Sequence, residues 1–124
     1  MVDQGRAQAE QPRRRTAKRL LTNLQRAESG PGRAIGHFDL ALFHDNNARE
    51  TEAIPHYEAA LAEGLSGEKR AECLAWLASS LHKTGRPEEA LDRLREARDA
   101  TSSAELMKFL LGLERRIRAW IARP

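Results

Sequence analysis

The stretch EAIPHYEAAL, beginning at Glu52, is echoed thirty-seven residues later by EALDRLREAR, beginning at Glu89. Both keep Glu-Ala, then an aliphatic residue, then a small residue seven places after the first alanine. Small residues recurring at helical spacing belong where two helices approach closely. Such an echo therefore constrains the fold more than any single motif. The rest of the chain agrees with it. Few β-branched residues occur, and no four-residue stretch alternates as a half-buried strand would.

Five helices are expected from residue 34 onward. The first covers Ala34 to Asp45, with Ile35, Phe38, Leu40 and Leu42 as its apolar residues, and it ends at Asn46 and Asn47, which suit a left-handed turn. The second covers Arg49 to Glu63 and stops at Gly64. Ser66 caps a third from Gly67 to Lys83, ended by Gly85. Pro87 opens a fourth that reaches Ala100, at a position where its missing N–H costs nothing. Ser102 and Glu105 form a capping-box pattern for a fifth. Its Leu106, Leu110, Leu113, Ile117 and Trp120 recur at spacings of four and three. Pro55 is read as shaping a helix entry. If its helix starts near Arg49, the bond to the Thr51 carbonyl is lost.

Helices of this length joined by short turns give an all-α fold of antiparallel pairs. The third and fourth, LAWLASSLHKTGRPEEALDRLREA, resemble the tetratricopeptide repeat (TPR). Leu74, Leu77, Ala78, Leu81, Gly85, Ala90, Leu94 and Ala97 stand at the family's packing and turn positions, although the closing proline is missing. The first pair fits more loosely, with Leu40, Ala41, His44, Ala53, Tyr57 and Ala60 in matching places and no turn glycine. Leu111 and Gly112 follow Leu77 by the family period of thirty-four residues. The resemblance implies a short solenoid over residues 34–118, two repeats plus a C-terminal capping helix. The wording AIPHYEAALAEGLSG is similar to a bacterial branch of the family whose members are often small.

Charge divides the chain. Residues 1–33 hold eight bases and three acids, and residues 105–124 hold five bases and two acids, while the stretch between them is acidic. Residues 1–15 carry almost nothing large and apolar, so a flexible basic tail is expected there. Residues 16–33 read as a short amphipathic helix carrying Leu20, Leu21 and Leu24, then a Gly/Pro turn, and residues 34–124 as the repeat domain. That short helix is expected to dock, either as a cap on the first repeat or in the groove. No apolar run is long enough to span a membrane and no export signal is visible, which reads as a cytoplasmic protein. The single Cys73 is expected to be a small buried hydrophobe.

Catalysis finds no support. There is no phosphate loop, nucleophile elbow or Cys-x-x-Cys, and no cofactor or metal is expected. His37 and His44 lie seven apart, too far to converge on one metal without help from another element. Binding remains. In proteins of the resembled family the first helix of each repeat lines a concave groove. The residues so placed here are Phe38, Leu42, Asp45, Asn46, Trp76, Ser79, His82, Lys83, Phe109 and Arg116. The Lys, Asn and Arg set with which some members grip a terminal carboxylate is absent, since Phe38, Leu42, Glu72 and Trp76 hold its sites. The expected partner is a peptide or helix of another protein, anchored on an apolar patch. Nucleic acid, held by Arg13, Arg14, Arg15, Lys18 and Arg19 with Arg115, Arg116 and Arg118 at the other end, is the disfavoured alternative, because no aromatic residues interleave these bases and the repeat body is acidic. Self-association, with basic ends meeting the acidic middle of another copy, stays open.

Overall fold

The computed structural model describes residues 16–27 and 30–124, so the expected tail over 1–15 lies outside it. Six helices follow in order: α1 (residues 16–26), α2 (Pro31–Asn46), α3 (Glu50–Ala62), α4 (Gly67–Lys83), α5 (Pro87–Ala100) and α6 (Ala104–Ile121). Among the described residues there is no strand. α2 packs on α3, α3 on α4, α4 on α5 and α5 on α6, with a lighter contact between α4 and α6. Each helix meets mainly its neighbours, the pattern of a stacked repeat array.

Alanines make the close packing feasible. Ala41 on α2 and Ala53 on α3 are fully buried, as are Ala78 on α4 and Ala90 on α5. Tyr57, Leu74, Leu77, Leu81, Leu94, Leu110, Leu113 and Ile117 fill the space around them, with Ala60 and Ala97 in the same core. Cys73 is fully buried, and burial pushes its thiol up to about 12, so it is an unreactive packing group.

Three turns share one geometry. After α3, the N–H of Gly64 reaches the carbonyl of Leu61 and that of Leu65 reaches Ala60. After α4, Gly85 bonds to His82 and Arg86 to Leu81. After α2, Ala48 bonds to Asp45 and Arg49 to His44. All are Schellman turns, whose central residue must be left-handed. Gly64 (φ 93°) and Gly85 (φ 83°) take that conformation freely, but the third turn forces it on Ala48 (φ 57°). Neither Asn46 nor Asn47 supplies it.

Other local expectations shift by a few residues. α2 begins at Pro31, three residues before Ala34, because Gly30 acts as N-cap and Pro31 suits the first turn. Ser66 is the N-cap of α4 but makes no side-chain cap bond. The N-cap of α6 is Ser103, which accepts from Leu106 N–H at 3.2 Å. Ser102 instead donates its backbone N–H to Glu68 of α4 at 2.6 Å. α3 starts at Glu50, so Pro55 lies past the first turn and removes the bond to Thr51, whose exposed position leaves that carbonyl to water.

α1 docks on α2 through one leucine. Leu24 is buried, Leu20 half-buried, and Leu21 faces solvent at 47% exposure, so one of the three leucines expected to dock does not. The docking depends on Gly36, where a Cβ would lie 3.4 Å from the Cα of Leu24 and 3.2 Å from its Cδ1. Leu24 and Leu40 lie outside the main core cluster and are buried nonetheless.

Candidate functional site

α4 and α6 are held together by a tilted ring pair, Trp76 and Phe109, with centroids 5.2 Å apart. Both rings are only half-buried and rest on the edge of the core. Trp76 is where it is because α4 buries Cys73, Leu74, Leu77 and Leu81 on its other faces, leaving the indole at the margin. Toward the C-terminal ends of the same helices His82 meets Trp120 edge-on, with centroids 6.2 Å apart. The His82 Nδ1 is buried without a hydrogen-bond partner, and burial, then the Arg116 charge, hold the ring below the ordinary histidine range. Beside the Trp76–Phe109 pair an open cleft of about 430 Å³ is lined also by Leu106, Ser103 and the carboxylates Glu68, Glu72 and Glu105. A larger cleft of about 570 Å³ near Pro55 and Arg86 carries no aromatic ring to anchor a guest.

Glu68 is committed to structure. It accepts from Ser102 and from the Thr101 hydroxyl at 2.8 Å, and the Ser102 N–H first among these donors holds its carboxyl below the ordinary range. Glu72 and Glu105 are exposed and, among the described residues, make no ion pair.

The structure divides the ten groove residues read from sequence. It places Trp76, Ser79, His82, Lys83, Phe109 and Arg116 on α4 and α6, with Lys83 and Arg116 exposed. Of the ten, Trp76 and Phe109 line the cleft between these helices. Phe38 is a core residue at 4% exposure, its ring 6.2 Å from that of Tyr57. Leu42 is half-buried against the core. Asp45 accepts from the Tyr57 hydroxyl at 2.7 Å and from Ser80 at 3.4 Å, a structural tie between α2, α3 and α4. Asn46 sits exposed at the end of α2. Glu72, Glu105 and Leu106, which are not among those ten, line the cleft, and Trp120 meets His82.

Leu111 and Gly112, expected in repeat packing, are displaced from it. Leu111 is 42% exposed because no further helix follows α6 within these residues to cover it. A Cβ on Gly112 would meet nothing within 4 Å except the Arg116 guanidinium at 3.7 Å.

Three of the four histidines, His37, His44 and His56, lie together between α2 and α3. His56 of α3 lies between His37 and His44 of α2: its Nδ1 is 3.1 Å from that of His37, and its ring lies parallel to that of His44 at 5.7 Å. The 5.4 Å separation of the His37 and His56 centroids is what two rings give when the nitrogens point at one another, which suits one shared N–H···N bond. Among the described residues no group of three or more ligating side chains could hold a metal. The C-terminal arginines are partly engaged within the chain. Arg98 and Arg118 share Glu114 at 3.0 and 3.1 Å, and the Arg123 guanidinium lies 4.0 Å over the Trp120 ring.

A family model described as Tetratrico peptide repeat matches residues 34–115, the span that runs from within α2 to within α6. The chain belongs to the tetratricopeptide repeat family. The echo at Glu52 and Glu89, the buried alanine pairs and the glycine-ended turns are the local expression of that TPR architecture. No curated protein and no solved structure matches the chain. TPR domains bind other proteins or peptides. Among the described residues no helix is long and apolar enough to cross a membrane.

Proposed function

We propose that this TPR chain is an interaction module, a scaffold or adaptor that takes a peptide or helix of another protein against Trp76 and Phe109. The observation that carries the reading is the half-buried ring pair bordering an open cleft between two first-position helices. Aromatic side chains with one face packed and one face free are the usual anchors of such contacts, since burying the free face gains apolar area at little cost in side-chain entropy. Phe38 is buried in the core and Asp45 is engaged by Tyr57 and Ser80, so the partner is read by α4 and α6 rather than by α2. The carboxylate-clamp residues are missing, and an internal segment of the partner is therefore the fitting guest.

The test is affinity capture from the native cell with nuclease present, comparing the intact chain with a Trp76→Ala/Phe109→Ala variant. A partner retained after nuclease and lost with the variant is expected. Capture that disappears with nuclease, or that ignores the aromatic variant, rejects the proposal and returns attention to the basic segments.

A further inference from the structure

The two helices that line the groove repeat one chemical order. On α4, Glu72, Trp76, Ser79 and Lys83 stand at spacings of four, three and four, which places them along one stripe of the helix. On α6, Glu105, Phe109, Gly112 and Arg116 stand at the same spacings. Each stripe therefore runs from an acid through an aromatic ring and a small residue to a base. The Trp76–Phe109 contact and the approach of His82 to Trp120 hold the stripes side by side in the same direction. All four terminal charges are exposed, and among the described residues none of them is in an ion pair. On the same helices Glu68 and Glu114 are engaged within the chain, while Lys69, Arg70, Lys108 and Arg115 are, like these four, in no ion pair among the described residues.

Gly112 adds an independent indication. A glycine in the middle of an eighteen-residue helix weakens that helix, and it is normally explained by a neighbour that approaches too closely for a side chain. Among the described residues Gly112 has no such neighbour, only the Arg116 guanidinium at an ordinary contact distance. The repeat counterpart of this glycine is Ala78, but along the stripe the glycine stands level with Ser79, and both are small, which keeps the middle of this surface low beside the aromatic pair.

We infer that the groove is electrically polar along its length and selects a partner segment that presents basic side chains at one end, a large apolar anchor, and acidic side chains at the other. The anchor sits on Trp76 and Phe109, the basic end meets Glu72 and Glu105, and the acidic end meets Lys83 and Arg116. Eleven residues of helix separate Glu72 from Lys83, a rise of about 16 Å, so the guest spans roughly five extended residues or three helical turns. This inference rests on the groove proposed above and adds the charge order of its occupant. Charges at such a rim set selectivity and the rate of encounter more than they set affinity, and they act mainly at low salt.

The experiment uses the full chain and three capped synthetic peptides with a central leucine in an alanine–serine background. One carries lysines on one side and glutamates on the other, one carries lysines on both sides, and one carries glutamates on both. Calorimetry at low salt should show the bipolar peptide binding about tenfold more tightly than either unipolar peptide, a preference that fades in high salt. Glu72→Lys with Glu105→Lys should reverse the order, so that the all-glutamate peptide binds best. Gly112→Leu should keep or raise the thermal midpoint, because leucine is the better helix former, yet abolish binding by filling the groove floor. Equal binding of all three peptides, lost in Trp76→Ala/Phe109→Ala, would retain the groove and overturn the charge order. Binding of none would overturn both. Self-association that is removed by Lys83→Glu with Arg116→Glu would also overturn the inference, making a second copy the occupant.

Discussion

The hydroxyl of Tyr57 donates to the carboxylate of Asp45 across 2.7 Å, joining α3 to α2 at a point where the tyrosine has no solvent exposure at all. Burial first, and then the bond to Asp45, push the phenol upward, so it stays a donor at any pH at which the protein is folded. Tyr57→Phe keeps the packing and withdraws the donor, and should cost on the order of 1–3 kcal/mol. Asp45→Asn, whose amide oxygen can still accept the hydroxyl, should cost less. Denaturant unfolding of the two variants beside the parent checks the ranking, and equal costs would show that the hydroxyl contributes only its volume.

Ala48 should be the cheapest place to stabilise the fold. It holds the left-handed conformation that glycine takes at Gly64 and Gly85, at a cost of about 1 kcal/mol in Cβ crowding. Ala48→Gly relieves the crowding, offset in part by greater freedom of the unfolded chain. A net gain of a few tenths to about 1 kcal/mol is expected, read as a higher thermal midpoint. An unchanged or lower midpoint would mean that the turn is not under strain.

Close approach of α1 to α2 depends on the bare surface of Gly36. Gly36→Leu should lever α1 away, since even a Cβ there would touch the Leu24 backbone. Hydrogen exchange should quicken across residues 16–26 and stay slow in α3, α4 and α5. Unchanged protection of α1 in a folded variant would show that Leu24 is not what holds it.

Acid should loosen the first pair more than the second, since the first holds three depressed histidines and the second holds His82 alone. Burial is the leading cause that lowers His37, His44 and His56, with mutual repulsion and Arg33 or Arg49 adding to it, while Glu63 and Glu52 oppose it weakly. Histidines depressed in the folded state are protonated more readily in the unfolded one. Stability is therefore full above the ordinary histidine range, about pH 6.5, and is lost as the pH falls below it toward the depressed values. Unfolding measured between pH 7 and 5 should show this loss, and His56→Gln should flatten it. A profile that stays equally steep in the variant would move the origin to other groups.

Ala78→Leu is the corresponding test of the second pair. Ala78 of α4 is fully buried in the core, and added methyl groups there should cost on the order of 1–3 kcal/mol. A variant with the parent's thermal midpoint would show that the crossing has room the fold does not need.

Helix number, the α4 and α5 spans and the repeat itself were legible in the residues, because apolar periodicity, Pro87, Gly64 and Gly85 are local signals that act through the backbone. So were the buried alanines, whose spacing only close helix contact explains. Periodicity tells which face of a helix is apolar but not which neighbour receives it. For that reason Phe38 and Trp76 looked alike in the sequence, and only the packing of α2 on Tyr57 made the first core and left the second at a groove margin. The same limit hid the tie from Asp45 to Tyr57 and Ser80, and the joining of His37 to His44 through His56, since each crosses between helices. It also hid the exposure of Leu111, because a repeat pattern marks a packing position whether or not the helix that would cover it is present. Tertiary structure decided which rings meet, by setting α4 and α6 side by side so that Trp76 and Phe109 border one cleft.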